Sequence, residues 1–407
     1  MLNLGDVAML QVCVERLREL YPTASIGVVT SSPELLGQHC PGTEAVPAAG
    51  RYEWFGRPWD GGAYVSALAA EKRARLERLA EGLRGTGRRA ARAALYAELA
   101  AREPAGDDVR EFVGWLLGSD ALVISGRGHT TDAFLKDSLE TLKLLRTAAA
   151  LGTRTAMFSQ GIGPIDDERL RLAAAQALPL VDRIAVRERN LALPLLERLG
   201  VSPERVTVTG DDALEAAYRL RPERPSADTL GVSLRVTPYS GIIGPVVDEV
   251  AAALERASAR HEATLVAVPI SALPLEADAR HLERILGPSG PGPATPREAI
   301  GLAGRCRVMV AGAYHAAVFA LAQGVPVVAL SATPYYDAKL GGLADLFPGG
   351  CMVLSTREPD LAERLAEAIR GAWHTTDEDR AGLLSATERQ IEASRLAYAH
   401  FAPERVS

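Results

Sequence analysis

From Asp120 onward the sequence alternates short apolar runs with segments of helical periodicity, and this alternation limits the folds that the chain can adopt. In the first half of the chain the apolar runs are residues 121–125, 155–159, 183–187 and 206–210. Short apolar runs separated by helical segments are typical of βαβ units, whose strands pair in parallel. We therefore predict an α/β protein with parallel sheets.

A second alternation follows the stretch Tyr218–Ala227, which has prolines, several charges and no periodicity. A chain of 407 residues is too long for one ordinary core, so this stretch is the best candidate for a linker. We predict two Rossmann-like domains that face each other across a cleft. The predicted boundaries are 1–220 for the N-terminal domain with a helical insertion at about 62–116, 228–376 for the C-terminal domain, and 377–407 for a terminal helix that could pack back on the first domain.

Composition limits the class of function. The chain is 47% hydrophobic and 24% charged, and its formal net charge of −6 offers no basic surface for nucleic acid. No apolar run has transmembrane length and no signal peptide opens the chain, so we expect a cytoplasmic protein. The four cysteines lack CxxC spacing, which favours reduced core thiols over a disulfide or zinc framework. Asn3-Leu4-Gly5-Asp6 leads into a helix predicted from Val7 to Leu20, where an α/β domain normally has a strand. Either the start is trimmed or misassigned, or that strand is absent.

Turns at the carboxyl ends of strands are candidate ligand sites, because backbone amides and helix N-termini can hold anions there. In the first half such turns are predicted at 3–6, 126–129, 160–164 and 210–212. Gly126-Arg127-Gly128 lacks the third glycine of a dinucleotide fingerprint, because Thr131 stands in its place. Walker A, GxSxG and HExxH motifs do not occur, which argues against an NTPase, an α/β-hydrolase and a zincin. We predict no cofactor and assign no metal ligands, and the sequence leaves a metal requirement open.

His315 is the strongest single candidate for a catalytic residue. It follows a predicted strand and opens an apolar helix, so it should lie at the ligand edge of the sheet, near a positive helix end. The alternative is a core histidine bonded to the backbone. Asp337 and Lys339, in a polar loop after the next strand, are expected at the same edge unless they only form an ion pair. His129 lies in a predicted glycine turn. Two alternatives stay open for it: it contacts the substrate, or it forms a local hydrogen bond.

Two arginines and two aspartates are further candidates. Arg187 and Glu188 end a strand of the first half, where a structural ion pair between them and contact with a ligand are both open. Arg235 ends the first strand of the second half, and a buried strand that ends in arginine is unusual without an anionic partner. For Asp211 and Asp212, helix capping by Asp212 is favoured over metal coordination.

Taken together, these residues resemble the polysaccharide pyruvyl transferase family. The motifs that carry the resemblance are, in order, Asn3-Leu4-Gly5-Asp6, Gly126-Arg127-Gly128, Gln160-Gly161-Ile162-Gly163-Pro164, Arg187-Glu188, Tyr314-His315, Gly324-Val325-Pro326 and Tyr336-Asp337-Ala338-Lys339. The resemblance implies a fold like that of GT-B glycosyltransferases. It also implies saccharide biosynthesis, with a pyruvyl group moved from phosphoenolpyruvate onto a saccharide or glycosylated acceptor as a ketal.

The resemblance also implies roles for particular residues. His315 would act as acid or base and Arg235 would hold the donor anion. The implied substrate-binding residues lie in or beside the motifs: Asn3, Gly5, Asp6, Gly126, Arg127, Gly128, His129, Gln160, Gly161, Gly163, Arg187, Tyr314, Asp337 and Lys339. The implied partners are the donor and the acceptor, with no nucleic acid, and a homo-oligomer is compatible with the sequence.

Two departures from the family pattern leave the donor open. Ala313 replaces the arginine of the family's Arg-x-His motif, and Arg127 stands where a glycine is usual. Loss of one charge-assisted arginine contact would cost about 1.5–3 kcal/mol of donor binding. Two alternatives therefore stand beside pyruvyl transfer: a GT-B-like glycosyltransferase with a nucleotide-sugar donor, and a non-catalytic sugar-binding relative.

Overall fold

The structure is a computed structural model that describes residues 2–55, 106–126, 128–224, 228–274, 276–288 and 292–402. The predicted helical insertion at about 62–116 lies mostly outside these residues, and only its end is seen, as the start of helix α4. Within the described ranges, every pairing between named strands is parallel, as the alternation of strands and helices predicts.

The first half of the chain contains a four-stranded sheet in the order β3-β4-β5-β6 and a separate pair, β1-β2. Its strands are β1 (Gly27–Thr30), β2 (Glu44–Pro47), β3 (Ala121–Ser125), β4 (Arg154–Gln160), β5 (Arg183–Val186) and β6 (Val206–Val208). Its helices are α1 (Leu4–Leu20), α2 (Pro33–His39), α3 (Ala48–Phe55), α4 (Asp107–Gly118), α5 (Leu135–Leu151), α6 (Glu168–Ala177), α7 (Ala192–Arg198) and α8 (Ala213–Arg219).

The second half contains a five-stranded sheet in the order β11-β10-β9-β7-β8. Its strands are β7 (Thr229–Ser233), β8 (Thr264–Ala267), β9 (Val308–Ala311), β10 (Val327–Ser331) and β11 (Cys351–Ser355). The helices are α9 (Gly244–His261), α10 (Asp278–Leu286), α11 (Pro296–Gly304), α12 (Tyr314–Ala322), α13 (Pro334–Leu346), α14 (Leu361–Trp373) and α15 (Asp377–Ala399).

Apolar side chains cover both faces of the second sheet, as a parallel sheet requires. Leu230 and Val250 belong to the core on one face, and Phe319 of α12 belongs to the core on the other. Every residue of α12 is buried, which matches its composition of apolar side chains on all sides. Leu4 and Met9 of α1 join this second core, so the start of the chain packs against the second half.

The terminal helix α15 returns to the first half. A capping box between Thr376 and Asp379 fixes its start. Near its end Tyr398 stacks on Phe158 of β4, with ring centroids 3.7 Å apart. The chain of the second half is thereby tied to the first sheet.

Several element boundaries differ from the sequence-based expectation. Helix α1 begins at Leu4 rather than Val7, because the side chain of Asn3 caps it by accepting from the amides of Gly5 and Asp6. The prediction of a polar loop carrying Asp337 and Lys339 is wrong, because both residues lie in α13. The Thr333 cap and the proline in the first turn set the start of this helix. None of the helices in the described ranges is both long and apolar enough to cross a membrane.

Candidate active site

A cavity of about 200 Å³ lies between the two halves of the chain. From the first half it is lined by turns that follow strands and by the start of α1, and from the second half by the starts of α12 and α13. Of the residues singled out in the sequence, it brings together Asn3, Asp6, Gly128, His129, Arg187, Arg235, Tyr314, His315 and Lys339. The predicted meeting of strand-end turns at one edge is therefore present in the structure.

His315 stands in the first turn of α12 and is 5% exposed. Its Nε2 lies 3.6 Å from Oδ2 of Asp211, which comes from the other half of the chain. This distance is beyond hydrogen-bond range, so the contact is electrostatic. Burial lowers the pKa of His315, although Asp211 and Asp6 oppose that shift, and the imidazole is therefore neutral at pH 7.

A glycine on α1 makes room for this imidazole. A Cβ added at Gly5 would lie 2.0 Å from Cγ and 2.1 Å from Nδ1 of His315. Gly5 thus belongs to the site by its lack of a side chain, although it does not line the cavity. The family's Asn-x-Gly-Asp motif has a local explanation here: Asn3 caps the helix and Gly5 admits the histidine.

Arg187 follows β5 and is buried beside Asp211. Its Nε lies 3.0 Å from Oδ2 of Asp211 and donates to the carbonyl of Ser159 at 2.8 Å. Burial alone would raise the pKa of Asp211, but Arg187 and then His315 lower it to about 2. Nη1 of Arg187 has no hydrogen-bond partner among the residues that the structure describes. The arginine therefore retains one unpaired buried donor after pairing with Asp211, and its side chain lines the cavity.

The alternative of an ion pair between Arg187 and Glu188 is wrong. Glu188 accepts instead from the amides of Leu191 and Ala192, at 2.9 and 2.8 Å. Asp211, which the sequence reading set aside, is the partner of Arg187.

Lys339 places its ammonium group against two tyrosine rings. Nζ lies 4.5 Å from the ring centroid of Tyr314 and 5.2 Å from that of Tyr335, and donates to the Tyr335 hydroxyl at 3.1 Å. Burial, followed by the repulsion of Arg187, lowers the pKa of Lys339 to about 7, while Asp6 opposes the shift. A small change in its surroundings can therefore change its charge at neutral pH.

Arg235 was expected to hold an anionic donor, but the structure gives its guanidinium carboxylate partners within the protein. It donates to both oxygens of Asp278, at 2.8 and 3.0 Å, and lies 2.8 Å from Glu276. A bidentate pair of this kind is among the strongest that arginine forms, and it compensates the charge. Arg235 lines the cavity, but Arg187 and Lys339 are the better placed cations for an anionic ligand.

Asp337 was expected at the same edge of the sheet as His315, but in the structure its side chain does not line the cavity. It accepts from the hydroxyl of Ser331 at 2.7 Å and pairs with Arg357 at 2.6 Å. The alternative of an ion pair with Lys339 is also wrong, because the two side chains leave the first turns of α13 in different directions.

Several other predicted contacts support the cavity without lining it. Gln160 is buried and donates to the carbonyls of Ile124 and Phe158. A Cβ at Gly126 would meet Met9, and one at Gly163 would meet Leu195. Gly161 does not line the cavity, and Arg127 lies outside the described residues. Ala313 is buried and occupies the N-cap position of α12 without a side-chain cap.

A cluster of aromatic residues at the cavity was missed in the sequence. Phe134 packs edge-on against Tyr239 and Tyr335, with ring centroids 5.5 and 5.7 Å apart, and Tyr239 also faces Tyr336. These side chains come from both halves and line the cavity. Tyr336 belongs to a motif that was quoted, whereas no periodicity marked Phe134 or Tyr239.

The fold is that of GT-B glycosyltransferases and epimerases. A protein of Listeria monocytogenes assigned as a UDP-N-acetylglucosamine 2-epimerase is 13% identical, with a TM-score of 0.57 over 97% of this chain and 92% of its own. The glycosyltransferase of kitacinnamycin gives 12% identity and a TM-score of 0.53 over 98% and 97%. A UDP-GlcNAc 2-epimerase from Neisseria meningitidis, solved with UDP-GlcNAc, gives 11% and 0.53 over 97% and 96%.

The family to which the chain belongs is shown by its sequence rather than by its fold. Residues 3–333 match the polysaccharide pyruvyl transferase family, and the chain therefore belongs to that family. Among proteins with curated functions, none has a sequence that matches this chain. The resemblance drawn from the ordered motifs is thus confirmed.

Proposed function

We propose that the protein transfers a pyruvyl group from phosphoenolpyruvate to a saccharide acceptor, forming a ketal. The observation that carries the proposal is the set of basic side chains in the cavity between the two halves. Arg187, Lys339 and a neutral His315 in the first turn of α12 line this cavity together. Hydrogen-bond donors at a helix N-terminus beside two cationic side chains suit a small ligand with a carboxylate and a phosphate.

The size of the cavity favours this donor over a nucleotide sugar. Sites that bury drug-sized ligands measure about 300–1,000 Å³. The cavity here is about 200 Å³, which suits a compact dianion or trianion better than a nucleoside diphosphate with a sugar attached. The aromatic cluster and Leu273, which is 37% exposed, also line the cavity and would contact the acceptor.

The reaction defines what the site must supply. Two acceptor hydroxyls add to the carbon that carries the phosphate, and the bond from that carbon to the phosphate oxygen breaks. Of the two protons released from the hydroxyls, one goes to the methylene carbon of the donor and the other leaves with inorganic phosphate. The enzyme must therefore hold a base for a hydroxyl, an acid for the methylene, and cations for the departing phosphate.

The geometry supports one distribution of these roles. A neutral His315 can accept the proton of an acceptor hydroxyl, and Asp211 stabilises the imidazolium that forms. Arg187 and Lys339, the cationic side chains that line the cavity beside His315, bind the donor anion.

Ligand binding gives the first test. Phosphoenolpyruvate should raise the melting temperature of the protein, whereas UDP-GlcNAc and dTDP-glucose should not. Phosphate release should then require a saccharide, tested with methyl glycosides of glucose, galactose and N-acetylglucosamine. Stabilisation by the nucleotide sugars alone would support the glycosyltransferase alternative, and saccharide binding without turnover of any donor would support a non-catalytic protein.

A further inference from the structure

Asp212, the neighbour of Asp211 in sequence, lies at the centre of a buried hydrogen-bond network. Its Oδ1 lies 3.0 Å from Nη1 of Arg16 and accepts from the hydroxyl of Ser394 at 2.6 Å. Its Oδ2 accepts from the hydroxyl of Tyr398 at 2.7 Å. All of these side chains are less than 9% exposed. The network joins α1, α8 and α15, and the expected capping of α8 by the Asp212 side chain is not present.

The two adjacent aspartates turn to opposite sides of the chain. Asp211 faces Arg187 and His315, whereas Asp212 faces the terminal helix. Ser159 ties both sides together, because its hydroxyl accepts from the amide of Asp212 at 2.9 Å and its carbonyl accepts from Arg187. A shift of Asp212 would therefore move the backbone that carries Asp211.

We propose that Tyr398 and Ser394 of the terminal helix are positioning residues for the active site, acting through Asp212 and Asp211 on His315. Asp211 belongs to the first half and His315 to the second, so their separation depends on how the two halves sit together. The terminal helix follows the second half in sequence and packs on the first sheet through Tyr398 and Phe158. It is thus placed to fix this separation.

The charges around Asp212 favour a positioning role for Tyr398 and Ser394 over a role only in stabilising the fold. Arg16 is shared by Asp212 and Glu215, and burial raises the pKa of Asp212 even though Arg16 lowers it. The Tyr398 hydroxyl satisfies Oδ2, which Arg16 does not reach, and the Ser394 hydroxyl adds a second donor on Oδ1. Removing one hydroxyl leaves the ion pair intact, so the protein should stay folded while the carboxylate changes position.

The test uses matched tyrosine-to-phenylalanine variants. Tyr398→Phe removes the hydroxyl on Asp212. Tyr21→Phe removes one that donates to the carbonyl of Phe401 at 3.2 Å and does not touch the network. We expect Tyr398→Phe to lower kcat about tenfold with KM for phosphoenolpyruvate within twofold, and Ser394→Ala to act in the same direction. Tyr21→Phe should stay within twofold in both. Equal kcat in wild type and Tyr398→Phe, or an equal loss in Tyr21→Phe, would overturn the proposal.

A second readout does not depend on catalysis, although the kinetic test rests on the proposed function. The imidazole NMR signals of His315, assigned with His315→Gln, report its surroundings: Asp211, Asp6, Arg187 and Tyr314. In Tyr398→Phe these signals should move and the titration midpoint should fall, because Asp211 no longer lies close. Unchanged signals would overturn the positioning role. Absence of turnover in wild type with shifted signals would reject only the proposed reaction.

Discussion

Lys339 and His315 show how burial gives two basic side chains in one cavity different tasks. Burial lowers the pKa of both, to about 7 for Lys339 and below its ordinary value for His315. The histidine is therefore a base at neutral pH, whereas the lysine carries a charge that an anion would stabilise. This difference in protonation gives the site a base for an acceptor hydroxyl and a cation for the donor anion.

The affinity for phosphoenolpyruvate should depend on the charge of Lys339. As pH rises through about 7, Lys339 of the free protein loses its proton, so phosphoenolpyruvate should bind more weakly. A bound anion stabilises the ammonium form, so the pKa of Lys339 should be higher in the complex. Lys339→Met should bind about 10- to 100-fold more weakly at pH 6.5, the range of one charge-assisted bond. Calorimetric titrations from pH 6 to 9 check this, with the exposed Lys143→Met as control. The ligand's own titration is common to all variants, so an identical pH dependence in Lys339→Met would contradict the assignment.

Substitution of His315 should separate chemistry from binding. His315→Gln removes the base but leaves Arg187 and Lys339, so kcat should fall about 10²- to 10⁴-fold. The dissociation constant for phosphoenolpyruvate should change by less than threefold. Stopped assays of phosphate release and equilibrium titrations measure the two quantities. Full turnover in the variant would remove His315 from the mechanism.

At the scale of single elements, sequence periodicity predicted most strands and helices, including the terminal helix α15, expected within 377–407 and observed at Asp377–Ala399. It did not predict α2 or β2, which are short and have little apolar pattern. The polar start of α13 resembled a loop because only the Thr333 cap and Pro334 mark it as a helix.

The functional site could likewise be predicted only in part from the sequence. Residues after strands could be placed at one edge because parallel strands share direction, as His315 and Arg187 show. Which side chains pair across that edge could not be predicted, because pairing depends on packing between the two halves. Arg235 with Asp278 and Asp211 with Arg187 are pairs of this kind.

The contact between α1 and α12 should tolerate no side chain at Gly5. Gly5→Ala would place Cβ within 2.1 Å of the His315 ring, so we expect a loss of about 1–3 kcal/mol of unfolding free energy and severely reduced turnover. Gly37→Ala, inside α2 with nothing within 4 Å, should gain about 0.5–1 kcal/mol. Urea unfolding and kcat measure both effects. A fully active Gly5→Ala protein would contradict the observed packing.

At the scale of the whole molecule, the cavity exists because α13 of the second half approaches the end of β5 in the first. A Cβ on Gly342 would lie 2.3 Å from Cβ of Glu188, whereas one on the adjacent Gly341 would meet nothing within 4 Å. Gly342→Ala should therefore separate the halves, raise KM for phosphoenolpyruvate and increase the radius of gyration in X-ray scattering. Gly341→Ala is the matched control and should leave all three unchanged. Equal behaviour of the two variants would contradict this interdomain contact.

The central claim is that the cavity transfers a pyruvyl group to a saccharide. The most direct measurement is NMR of [3-¹³C]phosphoenolpyruvate incubated with the protein and a methyl glycoside. We predict that the methylene signal is replaced by a ketal methyl signal, in step with release of inorganic phosphate, and that both changes are about 10²- to 10⁴-fold slower in His315→Gln. A methylene signal that persists with every acceptor, while a nucleotide sugar is consumed, would contradict the claim.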